Sequence, residues 1–445
     1  MLHIASIAQY ATAADLIGYV PWYRMNSSYN TGTLPAQLAL LDEVRYFGLT
    51  AASNGTVAPL GGGSGNMATH LNRIATIKTA IAALPEGQRP RLNITLGGAA
   101  EAANFATVAG NAGLRTMFAQ DIKSLLDQTG ATSVDIDWEH PAAGIQRTSH
   151  YPAMLARIKQ ELGANLRVYA TVDPTVVINN SVFSGPDAID GLSLMTYDLG
   201  WWGNDPGNPN NGEHSLPEYV EDAVQAWNEP PGSQNDRPWV FGTWGNNAPA
   251  AKLGVGLPFY GHTVMSPDAT YTFSELATGG TTTDGNYYMY QGKSVWIPSS
   301  NLAAQRVQFA HDHGLQHIII WELGQDVHPD TMHPDPNKRS LLRRAFEKNQ
   351  SLLGDYSGDR NVDIGDYNVW RSTFGSITEL RADGNGNTVV DAADYLIWRD
   401  RATGGDNDAA TSIAVPEPSI ICIGTILGLL SWITRMQWLA RWGSR

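Results

Sequence analysis

The run Ser133-Val134-Asp135-Ile136-Asp137-Trp138-Glu139 decides how the rest of the chain is read. An apolar segment interrupted at every second position by an acid is a strand whose side chains alternate between two faces, so Asp135, Asp137 and Glu139 share one face. Three carboxyl groups held together cannot all ionise at low cost. The outermost pKa therefore rises and leaves Glu139 protonated near neutrality, as a general acid requires. On this run alone, a divalent-metal cluster and a polar barrel core stand beside that reading.

Outward from this strand, β-rich runs alternate with amphipathic stretches of helical period from Ile17 to about Ser351. Eight strands are expected: Ile17 to Tyr23, Glu43 to Ala51, Arg91 to Gly97, Ser133 to Glu139, Leu166 to Val172, Gly191 to Tyr197, Lys252 to Pro258 and His317 to Glu322. Helices are expected at Ala68 to Leu84, Leu114 to Gln128, Tyr151 to Leu162, Pro217 to Asn228 and Leu302 to His313. The pattern is an α/β fold, a (β/α)8 TIM barrel over residues 15–351, whose chemistry belongs at the C-terminal ends of its strands. The Gly-, Asn- and Trp-rich segment Leu199 to Ser215 reads as an ordered binding loop with Trp201 and Trp202 as its contacts.

The strand ends carry a family likeness. Residues 132–139 resemble the Asp-x-x-Asp-x-Asp-x-Glu signature of glycoside hydrolase family 18, Thr95-Leu96-Gly97-Gly98 its Ser-x-Gly-Gly, and Met195-Thr196-Tyr197-Asp198 its Met-x-Tyr-Asp. Leu253 to Gly261 is similar to the family's seventh strand, and Trp321 with Glu322 to its eighth. The resemblance covers roughly Ile17 to Lys348 and implies a chitinase-like enzyme that needs no cofactor for catalysis. It implies that Glu139 protonates the glycosidic oxygen, Asp137 holds the substrate acetamido N–H, Asp135 supports Asp137, and Tyr197 binds the acetamido carbonyl. That carbonyl, rather than an enzyme carboxylate, then attacks the anomeric carbon. Asp198, Met195, Gly97 and Gly98 are implied at the same subsite with Trp321 as its floor, and Tyr19, Trp201, Trp202 and Tyr260 as flanking contacts. Two departures stand out: Thr132 and Ser133 replace the first acid and the glycine of the signature. About 55 residues separate Gly261 from His317, too few for a full α+β insertion after the seventh strand, so a short insertion and a shallow groove are expected.

Bulk properties narrow the classes further. A net charge of −14 and the lack of Lys/Arg clusters argue against nucleic acid. The only cysteine, Cys422, excludes an internal disulfide. His311 and His313 read as surface residues rather than metal ligands.

A second unit, residues 354–401, contains a repeat of about 28 residues: Asp355, Ser357, Asp359, Asp363 and Asp366, then Asp383, Asn385, Asn387, Asp391 and Asp394. These are positions 1, 3, 5, 9 and 12 of an EF-hand-type loop, which gives two Ca²⁺ sites, each completed by a main-chain carbonyl near Asn361 or Val389. Each loop runs into a helix start, Asp366-Tyr367 and Asp394-Tyr395. The pair resembles a type I dockerin, implying a cohesin-like scaffold as partner, although Arg360 and Thr388 occupy the glycine position of the loop. A calcium-stiffened spacer is the alternative.

After a polar connector (402–414), residues 415–445 run Val415-Pro416-Glu417-Pro418-Ser419 into about 15 apolar residues and then Arg435. This resembles a PEP-CTERM sorting signal, implying export, an exosortase-type protease, and a place at or beyond the cell surface with the Arg-bearing tail inside. Met1 to Leu16 lacks the features of a signal peptide, so a translation start upstream of Met1 is expected. Three functions remain open: cleavage of chitin or chitooligosaccharides, an endo-β-N-acetylglucosaminidase acting on glycoprotein glycans or peptidoglycan, and a surface lectin that binds N-acetylglucosamine without cutting.

Overall fold

The computed structural model describes residues 14–402 except 62, 100, 200–211, 231–245, 265–268, 358–361, 378, 380 and 385–388. Trp201, Trp202, Asp359, Arg360, Asn361, Asn385, Asn387, Thr388, nearly all of the connector and the whole apolar tail lie outside the described residues. Among the described residues no helix is long and apolar enough to cross a membrane.

Eight parallel strands form the barrel: β1 (Asp15–Pro21), β2 (Glu43–Ala51), β3 (Arg91–Gly97), β4 (Ser133–Asp137), β5 (Arg167–Val172), β6 (Gly191–Leu194), β7 (Leu253–Pro258) and β8 (His317–Trp321). Pairing runs in sequence order and closes, because β1 is hydrogen-bonded to both β2 and β8. The strands read from sequence recur with small shifts at their ends, since the last residues of several runs leave the ladder to enter the mouth. Glu139 is one of these, two residues beyond the end of β4.

The helices pack their apolar stripes outside the barrel. Ala112–Thr129 buries Phe118, Ile122, Leu125 and Leu126, is capped by the Asn111 side chain at its start, and ends at Gly130 in the left-handed region (φ 73°). Tyr151–Leu162 buries Met154, Leu155, Ile158 and Leu162, a three- and four-residue spacing. Helix Ala102–Gly110, which buries Phe105, Val108 and Ala109, has no counterpart in the sequence reading.

The barrel interior is unusually polar at its base. Glu43, Arg45, Asn93, Ser133, Ser193 and His317 are all wholly buried there. The acidic strand therefore runs up from a polar core, one of the readings offered for it. His311, expected at the surface, is also buried, against the barrel side of helix Ser300–Asp312.

The segment after β7 corrects a second expectation. Short as it is, it forms an α+β unit: helix Phe273–Gly279 beside a five-stranded antiparallel sheet in the order Thr270–Thr272, Tyr260–Thr263, Lys293–Trp296, Tyr287–Tyr290, Thr281–Asp284. Strands of three or four residues suffice because the apolar side of the unit, Phe273, Leu276, Tyr288 and Val295, joins the main core.

The repeat segment forms helices Ile364–Thr373 and Ala392–Arg401 around Tyr356, Val362, Tyr367, Val390 and Trp398. Arg401 donates to the Gln350 side chain at 2.9 Å, tying the second helix to the helix that ends the barrel, Leu341–Leu352.

Candidate active site

Register places the acids. Asp137 lies opposite Gly97 of β3 and Thr171 of β5, and Asp135 opposite Thr95 and Tyr169, so the row climbs the inner wall toward the mouth. Asp135 is wholly buried. Its Oδ2 accepts from the Tyr19 hydroxyl (2.9 Å) and the Thr95 hydroxyl (3.2 Å), and its Oδ1 from the Thr171 hydroxyl (2.9 Å). Arg45 stands 3.2 Å from the same Oδ2.

Asp137 is buried, and its Oδ1 makes no hydrogen bond. Burial first, then the neighbouring carboxyls of Glu139 and Asp135, hold Asp137 well above the usual carboxylate range. Glu139 is half-buried at the mouth. Burial pushes its carboxyl up to about 7, aided by the charges of Asp173 and Asp198 and opposed by a hydrogen bond with Asp137. The pair Asp137–Glu139 thus retains at least one proton at neutrality.

These acids face a cavity of about 250 Å³. Tyr19, Met195, Tyr197, Asp198, Tyr260 and Trp321, all singled out in the sequence, line it together with Asp137 and Glu139. Burial raises the Tyr197 hydroxyl well above its ordinary pKa, so it remains a donor. The Tyr197 ring meets Tyr260 edge-on at 6.2 Å and lies against Gly256, where a Cβ would approach ring carbons to 2.6 Å. Trp321 packs against Tyr19 (5.4 Å) and Phe47 (5.2 Å). The Glu322 carboxylate that follows it is anchored by Arg24 at 2.6 Å and by the Gly324 N–H at 2.9 Å.

Asp198 adopts φ 59°, in the left-handed region. Its Oδ2 accepts from the Tyr260 hydroxyl (2.7 Å) and its Oδ1 faces His262 Nε2 (2.8 Å), while its own N–H donates to His214 Nδ1 (3.1 Å). Burial pushes this carboxyl up, but its contacts with His214, His262 and Tyr260 outweigh it and hold Asp198 below the usual range. Asp198, His214 and His262 lie close enough together to suggest a metal. The His214 Nδ1 lone pair is, however, engaged by a backbone N–H, and Nε2 faces the Tyr260 carbonyl at 3.3 Å. That arrangement fits a neutral ring that props up Asp198 better than a ligand.

Two expected contacts fall elsewhere. Gly97 and Gly98 do not line the cavity: both have positive φ (137° and 116°), and a Cβ on Gly97 would come within 1.9 Å of the Asp137 carbonyl. They let β3 pass close beneath Asp137, whose carbonyl accepts from the Gly98 N–H at 2.9 Å. Conversely, His140, Thr171 and Asp173 line the cavity without having been singled out. Strand alternation puts Tyr169, Thr171 and Asp173 on one face, a signal available in the sequence. The substituted positions are also explained. Thr132 is exposed at the foot of β4, away from the row, and the Ser133 hydroxyl donates to Glu43 at 3.2 Å.

The family model for glycosyl hydrolases family 18 matches residues 20–326, from the end of β1 through β8. The chain belongs to that family. Among its relatives, Endochitinase 1 of Metarhizium anisopliae is 22% identical over 360 residues, covering 70% of this chain and 81% of that protein. Chitinase 1 of Aphanocladium album is 25% identical over 217 residues, and there the match spans about half of each chain, 44% of this one and 47% of that one. Of solved structures, a family 18 chitinase from the chitin utilization locus of Flavobacterium johnsoniae superposes with a TM-score of 0.56 at 21% identity. It covers 77% of this chain and 96% of that one. Membership makes the chain a glycosyl hydrolase on a (β/α)8 barrel.

In the repeat segment, Asp355, Asp366, Asp383 and Asp394 are buried, although the module is small. Asp366 accepts from the Ser357 and Asp363 N–H groups, both at 2.7 Å, and burial raises its pKa, with Asp355 contributing. Asp391 accepts from the Ala393 N–H (2.7 Å) and donates its own N–H to Asp394 (2.8 Å), repeating the Asp363–Asp366 arrangement. Acids turned inward at the first and last loop positions, with all-oxygen donors, fit a hard cation such as Ca²⁺.

Proposed function

We propose that the protein is a chitinase that hydrolyses β-1,4-linked N-acetylglucosamine with retention, using the substrate's own acetamido group. The observation that carries this reading is the shared cavity. Glu139, raised to about 7, Asp137 and Tyr197 all line it.

Glu139 gives its proton to the glycosidic oxygen as that bond breaks. The acetamido carbonyl oxygen attacks the anomeric carbon and forms a cyclic oxazolinium, while Asp137 takes the acetamido N–H and Tyr197 donates to the acetamido oxygen. Glu139, now a carboxylate, removes a proton from water as the water opens the ring. The anomeric configuration is thereby retained and the acid regenerated. Asp135 supports Asp137, Asp198 holds the same sugar ring, and Trp321 forms its floor. Hydrolysis of a fluorogenic chitotrioside by the full chain, with Glu139→Gln alongside, tests the assignment. Turnover by wild type alone supports it, whereas saturable binding without turnover in both means a lectin. Cleavage of glycoprotein glycans or peptidoglycan in place of chitotrioside means the endo-β-N-acetylglucosaminidase.

The same reading extends to the remainder of the chain. The repeat pair holds two Ca²⁺ ions through Asp355, Ser357, Asp359, Asp363 and Asp366, and Asp383, Asn385, Asn387, Asp391 and Asp394, and presents a dockerin-like surface to a cohesin-like partner. The tail after Val415 directs export and exosortase processing, which places the enzyme at the cell surface or beyond it. Fractionation of cells that produce the full chain tests that location.

A further inference from the structure

The strand that delivers Tyr197 stops early. β6 is four residues long, and its ladder with β7 ends at the pair Leu194 and Val255. Beyond Met195, whose N–H donates to the Val172 carbonyl of β5 at 2.9 Å, the chain has left both neighbouring ladders, yet Tyr197 and Asp198 line the cavity. The next position on β7, Gly256, is met by a side chain instead of a strand. Its N–H donates to the Thr196 hydroxyl oxygen at 2.8 Å, and that hydroxyl donates to the Gly256 carbonyl at 3.1 Å. From the other side, the Ser215 hydroxyl donates to the Thr196 carbonyl at 2.6 Å. The peptide that leads into Tyr197 is thus held between Gly256 and Ser215.

Both supports converge on one buried cation, Arg306 of helix Ser300–Asp312. Its Nη1 donates to the Gly256 carbonyl, and its Nη2 to the Ser215 carbonyl at 3.0 Å and the Ser215 hydroxyl oxygen at 3.3 Å. The second Nη1 proton is shared by the Thr196 and Ser215 hydroxyl oxygens, each 3.4 Å away. Both hydroxyls can accept it because each directs its own proton to a carbonyl. Among the described residues no carboxylate pairs with Arg306, and burial lowers its pKa to about 9, which leaves it charged at neutrality. A buried cation without a counter-ion is costly, and an apolar side chain would fill the same space without that penalty. What the guanidinium adds is a planar fork whose two nitrogens reach two separate chain segments at once.

The Tyr197 hydroxyl makes no hydrogen bond among the described residues, so its place over the cavity is set by its backbone and by what its ring leans on. Gly256 is part of both, since it lies against the ring and ties down Thr196. We infer that Arg306 is a positioning residue: from a helix outside the barrel, and through Gly256 and Ser215, it fixes Thr196 and thereby the position of the Tyr197 hydroxyl. The inference rests on the chitinase reading for what that hydroxyl does, which is to meet the acetamido oxygen of the substrate. Arg306 itself does not line the cavity.

A double-mutant cycle on the full chain tests this, with hydrolysis of a fluorogenic chitotrioside as the readout. Arg306→Met is expected to lower kcat on the order of 10- to 100-fold while KM stays within about twofold. Arg306→Lys, which keeps the charge but loses the fork, restores part of that loss. In the Tyr197→Phe background, where there is no hydroxyl to place, the same replacements are expected to cost less than about threefold. A loss of the same factor in both backgrounds means that Arg306 only holds the barrel together, and overturns the inference. So does a folded Arg306→Met with the kcat of the wild type. Where Arg306→Met does not fold, Arg306→Lys carries the cycle under the same criteria. Failure of the chitinase reading shows separately, as a wild type without turnover. The cycle is then read from the calorimetric affinity for chitotriose, which Arg306→Met is expected to weaken about tenfold only while the Tyr197 hydroxyl is present; equal weakening in both backgrounds overturns the inference there too.

Discussion

Trp370 donates its indole N–H to the main-chain carbonyl of Asp391 at 2.8 Å, although the two belong to different copies of the repeat. Trp398 returns the bond to Asp363 at 2.6 Å. Each loop is therefore held partly by the helix of the other. Trp370→Phe is expected to cost about 1 kcal/mol and to weaken calcium binding at the second loop as well as the first. Calorimetric titration of the full chain checks this, and an effect confined to the first loop would refute the coupling.

Glu139 must hold its proton to act as an acid, and the proton is held below the pKa of about 7. The expected pH profile of kcat/KM is therefore flat or rising up to that point, then falls about tenfold per unit above it. Asp198 contributes to the elevation, so Asp198→Asn moves the basic limb to lower pH. A limb that stays in place would show that the charge of Asp198 is not felt at Glu139.

Gly256→Ala would press a methyl group into the Tyr197 ring. Displacement of that hydroxyl by about 1 Å is expected to cost on the order of 100-fold in kcat, with an unfolding midpoint that drops only modestly. Steady-state kinetics with thermal unfolding on the same preparation separate misplacement from loss of fold.

On the proposed substrate-assisted mechanism the N-acetyl group is indispensable at the reacting ring. Glucosamine oligomers without acetyl groups are expected to bind and remain intact. On the proposed mechanism Asp137 aligns the reacting amide, so Asp137→Asn should reduce kcat on chitotrioside by about 100-fold or more. Product analysis by chromatography decides both, and cleavage of the deacetylated oligomer would exclude the mechanism.

Much of the barrel was legible because its strands are short, apolar and bounded by turn residues, and because Asp135, Asp137 and Glu139 mark one face by simple alternation. Four kinds of feature were not. Arg45 meets Asp135 across 90 residues of chain, and nothing local in β2 announces that its side chain is enclosed. Ser133 reads as a lost glycine, whereas it supplies a donor to Glu43. Asp173 and Thr171 follow the same alternation as the acids but lack a motif to draw attention to them. The α+β insertion was underestimated because its strands are three or four residues long and rich in Thr and Tyr, which carry almost no periodic signal.

The strand Tyr260–Thr263 opens the insertion sheet, yet its Tyr260 and His262 are also the partners that grip Asp198. The insertion is thus not a removable cassette. A chimaera that exchanges it with a relative's must join after Thr263 and spare the pairing of Val295 and Trp296 with Thr263 and His262. A graft made at the end of β7 would carry away two supports of the Asp198 carboxylate along with the loop.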